Sequence, residues 1–145
     1  MLSQKARYAL RAMLHLAAQE QGTSHQIADV AEGANIPRKF LEQILLELKR
    51  RGLVHSHRGR HGGYSLGRTP SEISFAEIIR IIDGPLALSP CASRTAYRKC
   101  EDCDDETTCA IRKSLVDVRN ATARILEHHS LADALADRRK LKPGA

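Results

Sequence analysis

Residues 26–51 read QIADVAEGANIPRKFLEQILLELKRR, and this stretch decides the fold. Apolar residues at helical spacing predict a short helix over 26–32, with Gly33 just beyond its end, and a longer helix over 37–51. The turn between them ends in Pro37, which suits the first turn of a helix because its φ angle is already nearly helical. Two helices joined by so short a turn are typical of a helix-turn-helix.

The longer of these two helices has an apolar and a polar face. Its apolar stripe is expected to be buried and consists of Phe40, Leu41, Ile44, Leu45 and Leu48. Polar side chains near its N-terminal end are placed to meet the major groove of DNA, where arginine favours guanine, glutamine favours adenine and glutamate accepts from cytosine. These candidate contact residues are Arg38, Lys39, Glu42 and Gln43.

A glycine-rich hairpin is predicted next, with short strands over 53–56 and 64–66. Its glycines permit the positive φ angles of a tight turn. The tip carries Arg58, Arg60 and His61, which are suited to phosphates or a minor groove. A net charge of +6 also favours a polyanionic partner. The alternative is that the helix face is merely solvated and the hairpin is an ordinary turn.

Helical patterns surround this central part. A first helix is predicted over 3–19, and a capping box from Ser74 to Glu77 starts a fourth, which Gly84 and Pro85 end. The strongest helical signal is a heptad seam whose apolar positions are spaced 4, 3, 4 and 3 residues apart: Ile111, Leu115, Val118, Thr122 and Ile125. The seam is expected to pair with a second copy of the chain, and packing within the chain is the alternative.

These patterns predict a mainly α fold with a small β-hairpin wing. A winged helix-turn-helix domain is expected over 1–84 and a cysteine-rich sensor loop over 85–109. The dimerisation helix and a short last helix, capped by Ser130 and Asp133, are expected over 110–136. Residues 137–145 are expected to form a disordered tail.

The loop contains all the cysteines of the chain: Cys91, Cys100, Cys103 and Cys109. Closely spaced thiolates are soft ligands for an iron–sulfur cluster. Structural zinc is a second hypothesis, although only Cys100 and Cys103 form the close pair that zinc sites use. A metal-free thiol switch that oxidises to a disulfide is a third.

Composition narrows the class of protein further. No segment is long and apolar enough to span a membrane, and charged residues interrupt the N-terminal stretch where a signal peptide would lie. A cytoplasmic protein without a membrane partner is therefore expected. Trp is absent and Phe and Tyr are few, which disfavours base stacking on single strands and favours double-stranded DNA.

Several separate blocks of the sequence resemble one family of bacterial regulators. They are SQKARYALRAM over 3–13, FLEQ over 40–43, GLV over 52–54 and RGRHGGYSL over 58–66. In this order they are similar to the IscR, NsrR and RirA regulators, which are dimeric winged-helix transcription factors, many with an iron–sulfur cluster. The resemblance covers about residues 1–136. It implies operator contact at Arg38, Lys39, Phe40, Glu42 and Gln43, and it places Arg58 and Arg60 in the wing.

The resemblance also bears on the cysteines. The family commonly uses three, and Cys91, Cys103 and Cys109 match them, so Cys100 is additional. Some relatives supply a histidine three residues after the last cysteine, a position that is Arg112 here. Others take a carboxylate from the partner's first helix, where this chain has Arg7 and Tyr8. Cys100 is therefore the candidate fourth ligand, for a cluster of two or four irons.

Together these observations predict a homodimeric repressor that binds a palindromic operator and senses iron, cluster status or redox state. Loading of the loop is expected to shift the long helix against the DNA-binding domain. The alternatives are a metal-free thiol-sensing regulator and a zinc-binding DNA-binding protein. A small thiol oxidoreductase is disfavoured, because such enzymes set a CxxC motif in a βαβ unit and this sequence predicts one strand pair.

Overall fold

The computed structural model describes residues 1–142. Helices α1 (Gln4–Ala17), α2 (Ile27–Ala34) and α3 (Arg38–Arg50) come first, followed by strands β1 (Val54–His57) and β2 (Gly63–Leu66). Helices α4 (Phe75–Asp83), α5 (Ala110–Glu127) and α6 (Leu131–Leu141) complete the chain, and short 3-10 turns lie at Pro70–Glu72 and Pro90–Ala92. The mainly α fold with a two-stranded wing is thus confirmed.

One apolar core joins the helices of the DNA-binding half. Helix α1 contributes Met13, α2 contributes Val30, and α3 contributes Leu41, Ile44, Leu45 and Leu48, all of them fully buried. Leu131 of α6 is also fully buried in this core. Burying such side chains contributes about 1.5–3 kcal/mol each. The core therefore fixes α3 with its opposite, polar face toward solvent.

Two predictions about the helix-turn-helix were wrong in detail. Helix α2 does not stop at Gly33 but continues to Ala34, and Asn35 ends it in the left-handed region with φ 54°. Gly33 stays helical, and a Cβ there would lie 2.1 Å from Cε1 of His15. Phe40 is 49% exposed rather than part of the buried stripe, because it meets Tyr8 at the edge of the core.

The wing is an antiparallel hairpin whose register pairs Val54 with Leu66 and His57 with Gly63. It is anchored to the segment before α2 by two backbone bonds. The His25 amide donates to the Tyr64 carbonyl at 2.9 Å, and the Tyr64 amide donates to the His25 carbonyl at 2.7 Å. This anchor holds the wing against the helix-turn-helix.

The variant Gly63→Ala is expected to lower the free energy of unfolding by about 1–3 kcal/mol more than Gly59→Ala. Both glycines have positive φ, 141° and 101°, so both substitutions strain the backbone. A Cβ at Gly63 would also lie 2.3 Å from the His25 carbonyl oxygen, whereas one at Gly59 meets nothing within 4 Å. Urea unfolding of the two variants measures the difference, and equal losses would mean that His25 does not hold the wing.

The C-terminal part differs from the prediction at its end. Ser130 and Asp133 form a reciprocal capping box at the start of α6, as expected. The helix then continues to Leu141. The expectation of a disordered tail from residue 137 onward was therefore wrong for residues 137–141. Residues 143–145, also assigned to the tail, lie outside the described residues. Over residues 1–142, no helix has the length and apolar character needed to cross a membrane.

Candidate DNA-binding surface and cysteine site

The exposed N-terminal end of α3 carries the polar residues predicted to contact DNA. Arg38, Lys39, Glu42 and Gln43 are exposed, as is the apolar Phe40, while Leu41 between them is fully buried. Arg38 Nε lies 3.7 Å from Glu42 Oε1, an exposed ion pair that contributes little stability. The surface therefore offers donors and acceptors for base edges from one short length of helix.

Helix α1 supports this surface through residues that the sequence patterns did not single out. The rings of Tyr8 and Phe40 pack edge to face with centroids 5.9 Å apart, and the Arg11 guanidinium lies 5.5 Å from the Tyr8 ring centroid. Arg11 also donates to the carbonyls of Ala34 and Asn35 at 2.6 and 2.9 Å. A cation on these terminal carbonyls of α2 stabilises the turn that leads into α3.

The wing tip presents a second group of basic side chains. Arg58, Arg60 and His61 are exposed. No salt bridge within residues 1–142 involves any of the three. The charges of Arg58 and Arg60 are consequently available to phosphates. Gln26 Nε2 donates to the Gly62 carbonyl at 3.4 Å, a further link between the wing and the start of α2.

The four cysteines reach one place from different local structures. Cys91 lies in the 3-10 turn and is buried, Cys100 and Cys103 lie in the loop, and Cys109 caps α5. All four line a single cavity of about 460 Å³. Its other lining residues are Ser89, Asp102, Asp104, Asp105, Thr108, Ile111, Arg112 and Leu115. The fold thus gathers thiols that are up to eighteen residues apart in the chain.

The thiols of this cavity differ in acidity. The Ser89 hydroxyl, 3.2 Å from the Cys91 sulfur, lowers the pKa of Cys91 against the opposing effect of burial. The pKa of Cys100 is raised, mainly by its hydrogen bond with Cys91 and then by burial. Burial raises the pKa of Cys103. The Cys91 thiol is therefore more acidic than the thiols of Cys100 and Cys103.

The donor set can be compared with known metal sites. Four cysteine thiols around one cavity are the ligand type that iron–sulfur clusters use, and tetrahedral zinc also accepts them. Arg112 lines the same cavity but has no lone pair to ligate a metal. Within residues 1–142, no three His, Cys, Asp or Glu side chains are already close enough to hold a metal ion together.

The acidic run around Cys103 has defined contacts. The Asp105 carboxylate accepts from the Thr107 amide at 2.9 Å and from the Thr107 hydroxyl at 2.7 Å, and these bonds lower the pKa of Asp105. Glu106 accepts a hydrogen bond from the Tyr97 hydroxyl. These two carboxylates shape the loop that leads from Cys103 to Cys109.

The predicted seam of α5 is largely uncovered. Ile111, Val118 and Ile125 are 73%, 45% and 64% exposed, and Leu115 and Thr122 are half-buried. Ala123, on another side of α5, is buried against the rest of the chain. Ile111 and Leu115 also line the cysteine cavity. The seam and the cysteine site therefore share side chains.

Comparison with known proteins gives independent evidence on the family to which the chain is similar. The sequence profile of the Rrf2 family, described as "Iron-dependent Transcriptional regulator", matches residues 2–137. The chain is 45% identical over 139 residues to a "Putative HTH-type transcriptional regulator rrf2-like" of Rhodobacter capsulatus, covering 94% of this chain and 93% of that one. It is 31% identical over 141 residues to "HTH-type transcriptional regulator NsrR" of Geobacillus kaustophilus, covering 97% and 93%.

A solved structure is similar over the same length. "CymR (YrzC) the Global Cysteine Regulator of B. subtilis" superposes with a TM-score of 0.77 at 31% identity, covering 94% of this chain and 96% of that one. The similarity includes both the helix-turn-helix half and α5, so it extends beyond the DNA-binding module.

Proposed function

Because the chain belongs to the Rrf2 family of transcriptional regulators, we propose that it is a homodimeric repressor whose affinity for a palindromic operator is set at its cysteine cavity. It is a DNA-binding regulator and not an enzyme. The observation that carries the sensing proposal is the convergence of Cys91, Cys100, Cys103 and Cys109 on one cavity. The family's description as iron-dependent supports an iron–sulfur cluster as the group sensed there.

The proposed operator contacts divide between α3 and the wing. In this assignment Arg38, Lys39, Phe40, Glu42 and Gln43 meet base edges and nearby phosphates. Arg58, Arg60 and His61 contact phosphates or the minor groove beside them. Exposure of all these residues and the absence of salt bridges at the described wing tip support the assignment.

The variant Arg58→Ala is expected to weaken binding to every duplex and to lessen the slope of log affinity against log salt by about 1. Each cation that neutralises a phosphate releases condensed counterions, so its removal reduces the salt dependence without changing sequence preference. Mobility shifts at several salt concentrations measure the slope. Arg124→Ala, an exposed α5 arginine, is the control, and a slope equal to the control's would exclude Arg58 from the contacts.

The cysteine half is proposed to hold the cluster through Cys91, Cys103 and Cys109, with Cys100 as the fourth ligand. When bound, such a cluster supplies a group that responds to iron supply and oxidation. The chain's own residues orient the ligands: Ser89 hydrogen-bonds to Cys91, and the Arg112 amide donates to the Cys109 sulfur at 3.4 Å. The Arg112 side chain adds positive charge beside the thiolates.

A second candidate is a metal-free thiol switch. The position of Cys91 and Cys100 at one cavity and the lowered pKa of Cys91 favour it. A more acidic thiol is oxidised more readily to a sulfenic acid by a peroxide, and a second thiol can then attack that sulfur to form a disulfide and release water. Structural zinc is less well supported, since the sequence gives one close cysteine pair where zinc sites use two.

Anaerobic purification with an absorption spectrum, an iron count and a zinc count tests these candidates. Visible absorption with stoichiometric iron is expected for the cluster, zinc alone would indicate a structural site, and a colourless metal-free protein would favour the thiol switch. Operator affinity is then measured for loaded, stripped and oxidised protein. If all three have equal affinity, the cysteine cavity does not regulate DNA binding.

A further inference from the structure

Two arginines of α5 bind the turn that carries Cys91. Arg112 Nε donates to the Cys91 carbonyl at 3.0 Å, and Arg119 Nη1 donates to the Ala92 carbonyl at 2.6 Å. The two arginines are seven residues apart, so they lie on the same side of α5, two turns from each other. The turn is therefore held along α5 at two points.

Arg119 is oriented by a second set of contacts. Its Nε and Nη2 atoms donate to Asn120 Oδ1 at 3.1 and 2.7 Å. The same oxygen accepts from Arg94 Nη2 at 3.3 Å, and Arg94 follows the turn by two residues. The Arg119 guanidinium therefore makes three hydrogen bonds to two acceptors, one in the turn and one in its own helix. A planar group held in this way has little freedom to follow a moving turn without carrying α5 with it.

Arg112 and Arg119 differ in their relation to the cavity. Arg112 lines it beside the cysteines, whereas Arg119 is not among its lining residues. Arg119 nevertheless binds the backbone carbonyl of Ala92, the residue directly after Cys91. Replacing Arg119 therefore removes a link to the turn without removing a side chain from the cavity wall.

The other end of α5 is connected to the DNA-binding half. Glu127 accepts from Arg80 of α4 at 2.6 Å, and α4 places Ile78 fully inside the core that supports α3. A continuous set of contacts thus runs from Cys91 through α5 and α4 to the helix-turn-helix. The Arg112 and Arg119 bonds to the turn are partly buried and have charged donors, so they are stronger than neutral hydrogen bonds and suit the transfer of a displacement from the turn to α5.

From these contacts we propose that Arg119 is the positioning residue that couples the state of the cysteine cavity to α5, and through α5 to operator binding. This inference rests on the proposed function. A movement of Cys91 displaces α5 only while the turn and the helix are bonded to each other. Without Arg119, water can satisfy the Ala92 carbonyl, and only the Arg112 bond to the Cys91 carbonyl still holds the turn to α5. The turn can then move farther before it displaces α5.

The test compares operator affinity of cluster-loaded and stripped protein for wild type and Arg119→Ala. The ratio of the two affinities measures the coupling, and for R119A we expect it to fall to about a fifth or less of the wild-type ratio. The iron count and visible spectrum of R119A should match wild type, because its ligands are intact. Arg119→Lys retains a cationic donor, so its ratio should lie between those of wild type and R119A.

Arg124→Ala is the matched control, because it removes an arginine of the same helix whose side chain makes no hydrogen bond or ion pair within residues 1–142. A thermal unfolding curve establishes that R119A is folded, and Arg119→Gln carries the same expectation if it is not. If the ratio of loaded to stripped affinity in R119A equalled that of wild type, or if R119A lost iron, the coupling role alone would be overturned. If loaded and stripped wild-type protein bound the operator equally well, the proposed function would be overturned as well.

Discussion

The variant Cys103→Ser is expected to retain about a tenth or less of the wild-type iron after anaerobic reconstitution, and to lose the visible absorption with it. Cys103 lines the cavity from the loop side, and burial already raises the pKa of its thiol. In the proposed site, Cys103 would bind iron as a thiolate, and the bond to iron would offset this effect of burial. A serine hydroxyl is not ionised near neutral pH and is a harder ligand, so it does not replace the sulfur.

The control for this prediction is Thr108→Ser, which alters another lining residue of the same cavity and removes no sulfur. It should reconstitute with wild-type absorption. A Cys103→Ser protein that also regains wild-type absorption would show that Cys103 is not a ligand.

The same measurement on Cys100→Ser decides the fourth position. If Cys100 ligates, its serine variant should lose iron as Cys103→Ser does, because all four sulfurs border the same cavity. If Cys100→Ser keeps the wild-type spectrum, the fourth ligand is another group and Cys100 is free to act as a resolving thiol for Cys91.

The helix-turn-helix and wing could be predicted from sequence because their signals are local. The periodicity of α3, the proline before it and the glycines of the hairpin each act within a few residues. The exposure of Phe40 could not be predicted in this way, because its position depends on Tyr8, thirty-two residues earlier in the chain. Gly33 likewise stays helical beside His15, a residue of another helix.

The candidate site shows the same division. The four cysteines are close in sequence, so their convergence could be anticipated from their short separation along the chain. The bonds from Arg112 and Arg119 to the carbonyls of Cys91 and Ala92 leave no sequence signal, because any residue presents a backbone carbonyl. The role of Arg11 could not be predicted for the same reason, since its partners are the backbone carbonyls at the end of α2.

The variant Val118→Glu is expected to be monomeric at micromolar concentration and to bind the full operator about 100-fold or more weakly than wild type. Val118 lies at the middle of the seam and is 45% exposed, with the more exposed Ile111 and Ile125 on either side. In a two-fold pair of α5 helices, the middle positions of the two copies face each other. Two opposed carboxylates in an apolar seam repel each other and lose hydration.

Loss of pairing affects DNA binding because a palindromic operator is read by two linked domains. The first domain to bind raises the effective concentration of the second at its half-site, and a monomer lacks this gain. Arg124→Glu is the matched control, since it places a carboxylate on an exposed position of α5 outside the seam. Analytical ultracentrifugation measures the loss of dimerisation, and mobility shifts on full and half operators measure the loss of DNA affinity. If Val118→Glu remained dimeric with undiminished operator affinity, the seam would not be the dimer interface, and the two DNA-binding domains would have to be joined through another surface.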